Sequence, residues 1–223
     1  MILRHSASLV AAVLSFSTGV FAQTPPPPAP SAQPTVFVLP PLDHRFEGAA
    51  RVGLMLPGKL TPSNFKPAET SVSPTLILDA SWIVHPFFAI GPYLQYTALS
   101  TERELGDTMY EGSATWVSAG AIARARFQVS EKALLRVGLS AGPNFISMTG
   151  ETSSSDYEAS GSGLNLGLVA DGVLRFSQRF GMSGQLGFLS QVSGSFEVEG
   201  DDDEHDFAFK PIFFLAVGPE LFL

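Results

Sequence analysis

Eight stretches of the chain alternate apolar and polar positions with a period of two, over 46–57, 74–85, 87–101, 113–127, 133–147, 162–176, 180–195 and 207–223. A two-residue period places successive side chains on opposite faces of a strand. Each stretch is long enough to cross the hydrocarbon layer of an outer membrane, which takes about 9–11 tilted residues. The connections alternate as well. Long polar ones cover 58–73, 102–112, 149–160 and 196–206, and short ones fall at His85-Pro86, around Val129 to Lys132, and at Ser177 to Arg179. Short turns on one side and long loops on the other are the asymmetry of membrane barrels. The pattern predicts an all-β chain: one eight-stranded antiparallel up-and-down transmembrane β-barrel.

The distribution of charge tests which face meets lipid. In 46–57, Glu47 and Arg51 share one parity, while the other holds Phe46, Ala50, Val52, Leu54 and Leu56. Arg124 and Arg126 are alike on one face of 113–127. Asp171 and Arg175 share a face with Asn165 and Gly167, opposite Leu164, Leu166, Leu168 and Leu174. Lys210 and Glu220 oppose Phe213, Leu215, Val217 and Leu221. An arginine or lysine facing lipid near the midplane costs roughly 2–4 kcal/mol, so the charged row belongs inside. That row also carries many glycines, which suits a crowded narrow lumen, and large apolar residues are expected outside. A soluble lipocalin-like barrel alternates in the same way but would expose the charged row. The low charged fraction, 15% of residues, favours the membrane barrel.

The ends add three expectations. Arg4 and His5, the apolar run from Leu9 to Val20 and the small-residue site Val20-Phe21-Ala22 read as a signal peptide over 1–22. Residues 23–45, with Pro25-Pro26-Pro27-Pro28, read as an extended periplasmic linker that cannot pack a core. The barrel then occupies 46–223, with both termini periplasmic and the long loops extracellular. No cysteine is present, which removes disulfides, thiolate metal sites and a cysteine nucleophile. The net charge of −8 argues against nucleic acid as a partner.

The inward charges form the candidate site: Glu47, Arg51, Asp79, Arg124, Arg126, Arg136, Asp171, Arg175, Lys210 and Glu220. An eight-stranded barrel has room for side chains and little else, so these groups are expected to pair and fill the lumen. Strand order on closure puts Glu220 within reach of Arg51, and Glu220 could hold an arginine as the plug of a gated path. The acidic run Asp201, Asp202, Asp203, Glu204 and Asp206 offers oxygen ligands for calcium, or for divalent ions bridging to lipopolysaccharide, but lacks the ordering of a calcium-binding loop. His44, His85 and His205 are the histidines of the mature chain, and no serine nucleophile motif accompanies them. No catalytic residue, cofactor or resident metal is expected. Trp82, Phe87, Phe88, Tyr93, Tyr96, Phe180 and Phe188 are candidates for interfacial aromatic girdles.

With eight spans, long outer loops and a last strand ending Glu220-Leu221-Phe222-Leu223, the region 46–223 resembles the small outer-membrane barrels of the OmpA/OmpX type. Gly91-Pro92, Gly142-Pro143 and Gly218-Pro219 add to the likeness. Each proline removes a ladder hydrogen bond, so each is expected at a bulge or where a strand leaves its partner. The resemblance implies recognition of the last strand by the barrel assembly machinery, and contact with outer-membrane lipid and lipopolysaccharide. A periplasmic peptidoglycan-binding domain after the barrel, which some members carry, is not expected here. The expected role is structural or surface-interacting, as a monomer in a Gram-negative outer membrane. A narrow gated channel for small solutes is the alternative, and a lipid-modifying barrel enzyme a further one.

Overall fold

A computed structural model of the chain describes residues 45–62, 68–105, 108–151, 156–198, 205–209 and 212–223. The expected signal peptide, and all of the proline-rich segment before Arg45, lie outside the described residues. Eleven strands are present: β1 (Phe46–Met55), β2 (Lys59–Pro62), β3 (Ala68–Thr70), β4 (Ser73–His85), β5 (Phe88–Leu105), β6 (Thr108–Gln128), β7 (Ala133–Glu151), β8 (Asp156–Arg175), β9 (Phe180–Val198), β10 (His205–Phe209) and β11 (Ile212–Phe222). Eight of them close a ring in the order β1-β4-β5-β6-β7-β8-β9-β11, with β11 pairing back to β1, and every pairing is antiparallel. The short strands β2, β3 and β10 extend this wall, pairing in the order β10-β2-β3-β5 with β10 also on β9. The chain thus forms an eight-stranded up-and-down barrel, and its closed ring leaves no strand edge open to hydrocarbon.

Both described chain ends lie at the end of the barrel that carries the short turns, here the near end. The amides of Arg45 and Phe46 donate to the Leu223 carbonyl at 2.8 and 2.9 Å, which stitches the seam there. Ser130 Oγ accepts from the Ala133 amide at 3.1 Å, and Ser177 Oγ from the Phe180 amide at 3.0 Å. These hydroxyl-closed turns explain why so few residues suffice at those corners.

At the far end, the strands run past their predicted limits. The expected loop 102–112 is largely a hairpin carrying β5 to Leu105 and starting β6 at Thr108. The expected loop 149–160 likewise carries β7 to Glu151 and starts β8 at Asp156. Beyond the hydrocarbon, both faces tolerate polar residues, so pairing continues after the apolar alternation has faded. The Ser113–Thr149 hydroxyl pair, at 3.0 Å across β6 and β7, belongs to this polar extension. The opposite wall is interrupted at 56–58 and 71–72, where the Gly58 amide donates to Thr70 Oγ1 at 2.8 Å and the Thr70 amide to the Gly58 carbonyl at 3.1 Å.

The outward face is an apolar belt. Along β7 it runs Leu135, Val137, Leu139, Ala141, Pro143, Phe145, and along β8 Leu164, Leu166, Leu168, Ala170, Gly172, Leu174, with no charge among them. At about 3.3 Å per residue and the usual strand tilt, such a run rises on the order of 25 Å, the height of a lipid-facing band. Large side chains such as Leu139 and Leu166 stand open on this surface, 66% and 49% exposed. Phe46 and Trp82, both exposed on the outward face, stack near the seam with centroids 6.1 Å apart.

The three Gly-Pro pairs share one geometry: of the two expectations it is not the bulge but a place where the strand leaves its partner, here for two residues. The β4–β5 ladder pairs Asp79 with Tyr93 and resumes at Trp82 with Ile90, skipping Gly91-Pro92. The β6–β7 ladder skips Gly142-Pro143 between Ser118/Asn144 and Ala121/Ala141, and the β1–β11 ladder skips Gly218-Pro219 between Ala49/Glu220 and Val52/Val217. In each case the register is the same on both sides of the gap. The missing proline N–H is tolerated because the neighbouring glycine lets the partner backbone close in. A Cβ at Gly91, Gly142 or Gly218 would lie 1.8, 2.0 or 1.9 Å from the carbonyl oxygens of Ala80, Ala119 and Ala50. The bulges lie elsewhere. Val192 is the extra residue between the Leu164/Ser193 and Asn165/Gln191 pairs, and a second register shift falls near His85.

The belt makes a depth-dependent prediction. Val217→Arg, on the outward row of β11 well inside the belt, is expected to destabilise the folded barrel by about 2–4 kcal/mol, and Leu221→Arg at the near-end rim by about 0–1 kcal/mol. Denaturant titration in phospholipid vesicles reads both. Equal costs would show that the outward row does not span a hydrocarbon gradient.

Candidate functional site in the lumen

The inward row divides the lumen into tiers. The near half holds charge. Arg51, Arg124, Arg126 and Arg136 are all buried, as are the carboxylates of Glu47, Asp79, Asp171 and Glu220. Arg51 bridges Asp79 and Glu220, the latter at 3.2 Å from Nη2, and its Nε donates to Ser183 Oγ at 2.7 Å. Arg124 reaches Asp79 at 2.8 Å and Asp171 at 2.9 Å, and donates to Ser81 Oγ at 2.9 Å. Arg136 stands between Glu47, at 3.0 Å from Nη1, and Glu220, whose Oε2 accepts from Nη2 at 2.9 Å. Arg126 pairs with Glu47 and donates to the Pro86 carbonyl at 3.1 Å, against the first near-end turn.

Four buried guanidiniums thus face four buried carboxylates. Every strand of the ring except β5 and β9 contributes at least one of these groups. Burying one such ion without compensation costs several kcal/mol. Here each carboxylate touches at least two arginines, and the network reaches across the barrel. Arg175 is the fifth arginine. Its side chain is 21% exposed, its Nη2 lies 4.0 Å from Glu47, and its guanidinium sits 4.3 Å above the Phe222 ring. That ring covers part of the cation where the lumen opens at the near end.

Above the charges lies a neutral polar tier. Tyr93 Oη donates to Asn165 Oδ1 at 2.9 Å and shares a 2.9 Å hydrogen bond with Ser118 Oγ, which accepts from Asn165 Nδ2 at 2.5 Å. Gln95 Nε2 donates to Thr75 Oγ1 at 3.2 Å, and Thr75 pairs with Thr97 at 2.9 Å. Tyr93 is therefore a lumenal residue and not a girdle aromatic. Its position shares the inward parity of Gly91 and Gln95.

The far half of the lumen is apolar. Met55, Leu99, Trp116, Ile146, Leu189, Ile212 and Phe214 are buried there in one cluster. Large apolar residues thus fill the inside as well as the outside, contrary to the expected division. Gly187 makes room for one of them, since a Cβ on it would fall 2.0 Å from Phe214 Cζ. The signal for this tier was parity. Met55 continues the row of Glu47 and Arg51, and Phe214 the row of Glu220.

The other candidates can be placed in part. Lys210 and the acidic run from Asp201 to Glu204 lie outside the described residues. Asp206 is described only as part of the β10 backbone, opposite Ser195. Among the described residues no group of three or more His, Asp or Glu side chains is arranged to hold a metal ion. The His85 ring caps the first near-end turn, with Nδ1 accepting from the Phe87 amide at 3.3 Å.

A closed antiparallel ring of eight, belted outside and filled with compensated charge inside, defines an outer-membrane β-barrel fold. No family model matches the sequence, and no curated protein matches it. Solved structures do. The outer membrane protein AlkL in lipid bilayers is similar with a TM-score of 0.54 at 10% identity, covering 90% of this chain and 97% of that one. OprG from Pseudomonas aeruginosa gives 0.52 at 10% identity, covering 80% and 95%. A major outer membrane protein from Thermus thermophilus gives 0.51 at 12% identity, covering 80% and 99%. At these identities the shared property is the fold.

The lumenal network predicts a specific non-additivity. Glu220→Ala leaves Arg51 and Arg136 short of a counter-ion and is expected to cost about 3–5 kcal/mol. Arg136→Met combined with Glu220→Leu is expected to cost less than the sum of the two single changes, by on the order of 1 kcal/mol or more. Unfolding followed by Trp82 and Trp116 fluorescence measures the cycle. Strict additivity would mean that the two side chains do not interact.

Proposed function

We propose that this protein is an outer-membrane barrel with a structural or surface-interaction role, acting through its far-end hairpins and its wall rather than by conduction. The observation that carries this reading is the filling of the lumen. A floor of four buried arginines and four buried carboxylates with Arg175 at its mouth, a hydrogen-bonded middle tier and an apolar cap follow one another along the axis. A solute crossing this column would have to separate ion pairs in a low-dielectric interior and then displace packed apolar side chains, two opposite demands on one permeant.

In this reading the near end, with the short turns and both described chain ends, faces the periplasm. The far-end hairpins stand outside, the protein works as a monomer, and outer-membrane lipid and lipopolysaccharide are its immediate neighbours. The alternating last strand, from Ile212 to Phe222, suits recognition by the barrel assembly machinery.

Planar bilayer recording tests the reading. The wild-type barrel is expected to give no discrete current steps, and Glu220→Ala, which leaves the neutral tier and the apolar cluster of the far half in place, is expected to give none either. Regular steps from the wild type would overturn the proposal in favour of a narrow channel. Faster gel migration of the unheated sample than of the boiled one confirms beforehand that the reconstituted barrel is folded.

A further inference from the structure

The outer wall of β6 to β9 carries a groove that the lumen-centred reading does not use. It measures about 440 Å³ and crosses four strands where the apolar belt ends. Strand register builds it from two rows. Val117, Phe145, Ser162 and Ser195 are in line in one, and Thr115, Ser147, Ser160 and Glu197 in the next row toward the far end. Five of these eight side chains are hydroxyls. Elsewhere on this wall, Ser113 and Thr149 satisfy one another. The five groove hydroxyls make no hydrogen bond to any described residue, and small side chains leave the space in front of them open.

The position of the groove limits what can fill it. Toward the near end, the next outward residues are Pro143 and Leu164, which face hydrocarbon, and toward the far end stand Thr149 and Glu158. An occupant therefore needs apolar chains on one side and hydrogen-bonding groups on the other. Among the described residues that line the groove none is a cation and Glu197 is the one charge, so a phosphate is disfavoured by repulsion. Hydroxyl donors and acceptors beside an exposed aromatic face, here Phe145 at 56% exposure, suit a sugar ring. Its hydroxyls find partners and its C–H face meets the phenyl group.

We infer that this groove is a binding site for the uncharged sugar headgroup of an outer-leaflet glycolipid. The leaflet rests on the orientation given under Proposed function, and the sugar chemistry rests on the groove itself.

The test uses the full isotope-labelled chain in polyoxyethylene-detergent micelles, titrated with dodecyl maltoside and, separately, with dodecylphosphocholine. Maltoside is expected to give saturable amide shifts confined to residues 145–147, 160–162 and 195, with apparent affinity about fivefold weaker in the Ser160→Ala/Ser162→Ala variant. Phosphocholine is expected to give none. Shifts that never saturate, that ignore the double substitution, or that are equal for both headgroups would overturn the sugar site. Ser160→Cys in intact cells, labelled with a membrane-impermeant maleimide, tests the leaflet apart from the chemistry. Labelling of intact cells supports the outer leaflet. Labelling only after permeabilisation overturns the orientation and the glycolipid with it, whatever the titration gives.

Discussion

A wall one strand thick, set in hydrocarbon, has only one other place for a charge, and that is the lumen. Lipid accepts neither an ion nor an open backbone hydrogen bond. The eight-stranded ring answers the second demand by closing on itself, and the two-residue period answers the first by sending every charge in the belt inward. The rest of the architecture follows. Once inside a narrow lumen the charges have lost bulk water, so each needs a counter-charge nearby to offset the cost of burial. That requirement ties Arg51, Arg124, Arg126 and Arg136 to carboxylates on β1, β4, β8 and β11. Each of these contacts joins different strands, so the network braces the ring from within.

The wall also tolerates local damage where it is locally compensated. Proline in a closed sheet has no edge on which to hide its missing donor. Here it follows glycine in three strands, and in each the partner strand presents an alanine carbonyl at the glycine Cα. The strands rejoin without slipping, which preserves the face of every later residue. A slip by one would have turned the lipid-facing leucines inward and the arginines outward. Keeping register through a lost hydrogen bond therefore matters more to this fold than the bond itself.

Much of this was legible in the sequence, for a physical reason. Charge parity within each stretch reports the nature of the surroundings on each side, so the inward placement of Glu47, Arg51, Asp171 and Glu220 could be read without coordinates. The apolar residues of the same row could not be sorted by that argument. Met55, Trp116 and Phe214 carry no charge to betray their side, and only counting from a charged neighbour reveals it. Tyr93 was misplaced because a tyrosine suits both a headgroup belt and a polar lumen. The far-end strand extensions were hidden because alternation disappears where water bathes both faces. The Gly-Pro geometry depends on which neighbour the proline faces, a fact of pairing that no single strand encodes.

Glu220 sits three residues from the end of the sequence, and the arginines it serves belong to β1 and β7. Until the last strand docks, Arg51 and Arg136 lack that carboxylate and keep only part of their counter-charge, from Asp79 and Asp171 on the neighbouring strands. Seam and ion network are therefore completed in one event: the segment that supplies the final ladder also supplies the final counter-charge. A barrel of this design has little stability to gain from being almost finished, so partly wrapped forms are poor resting states and closure is close to all-or-none.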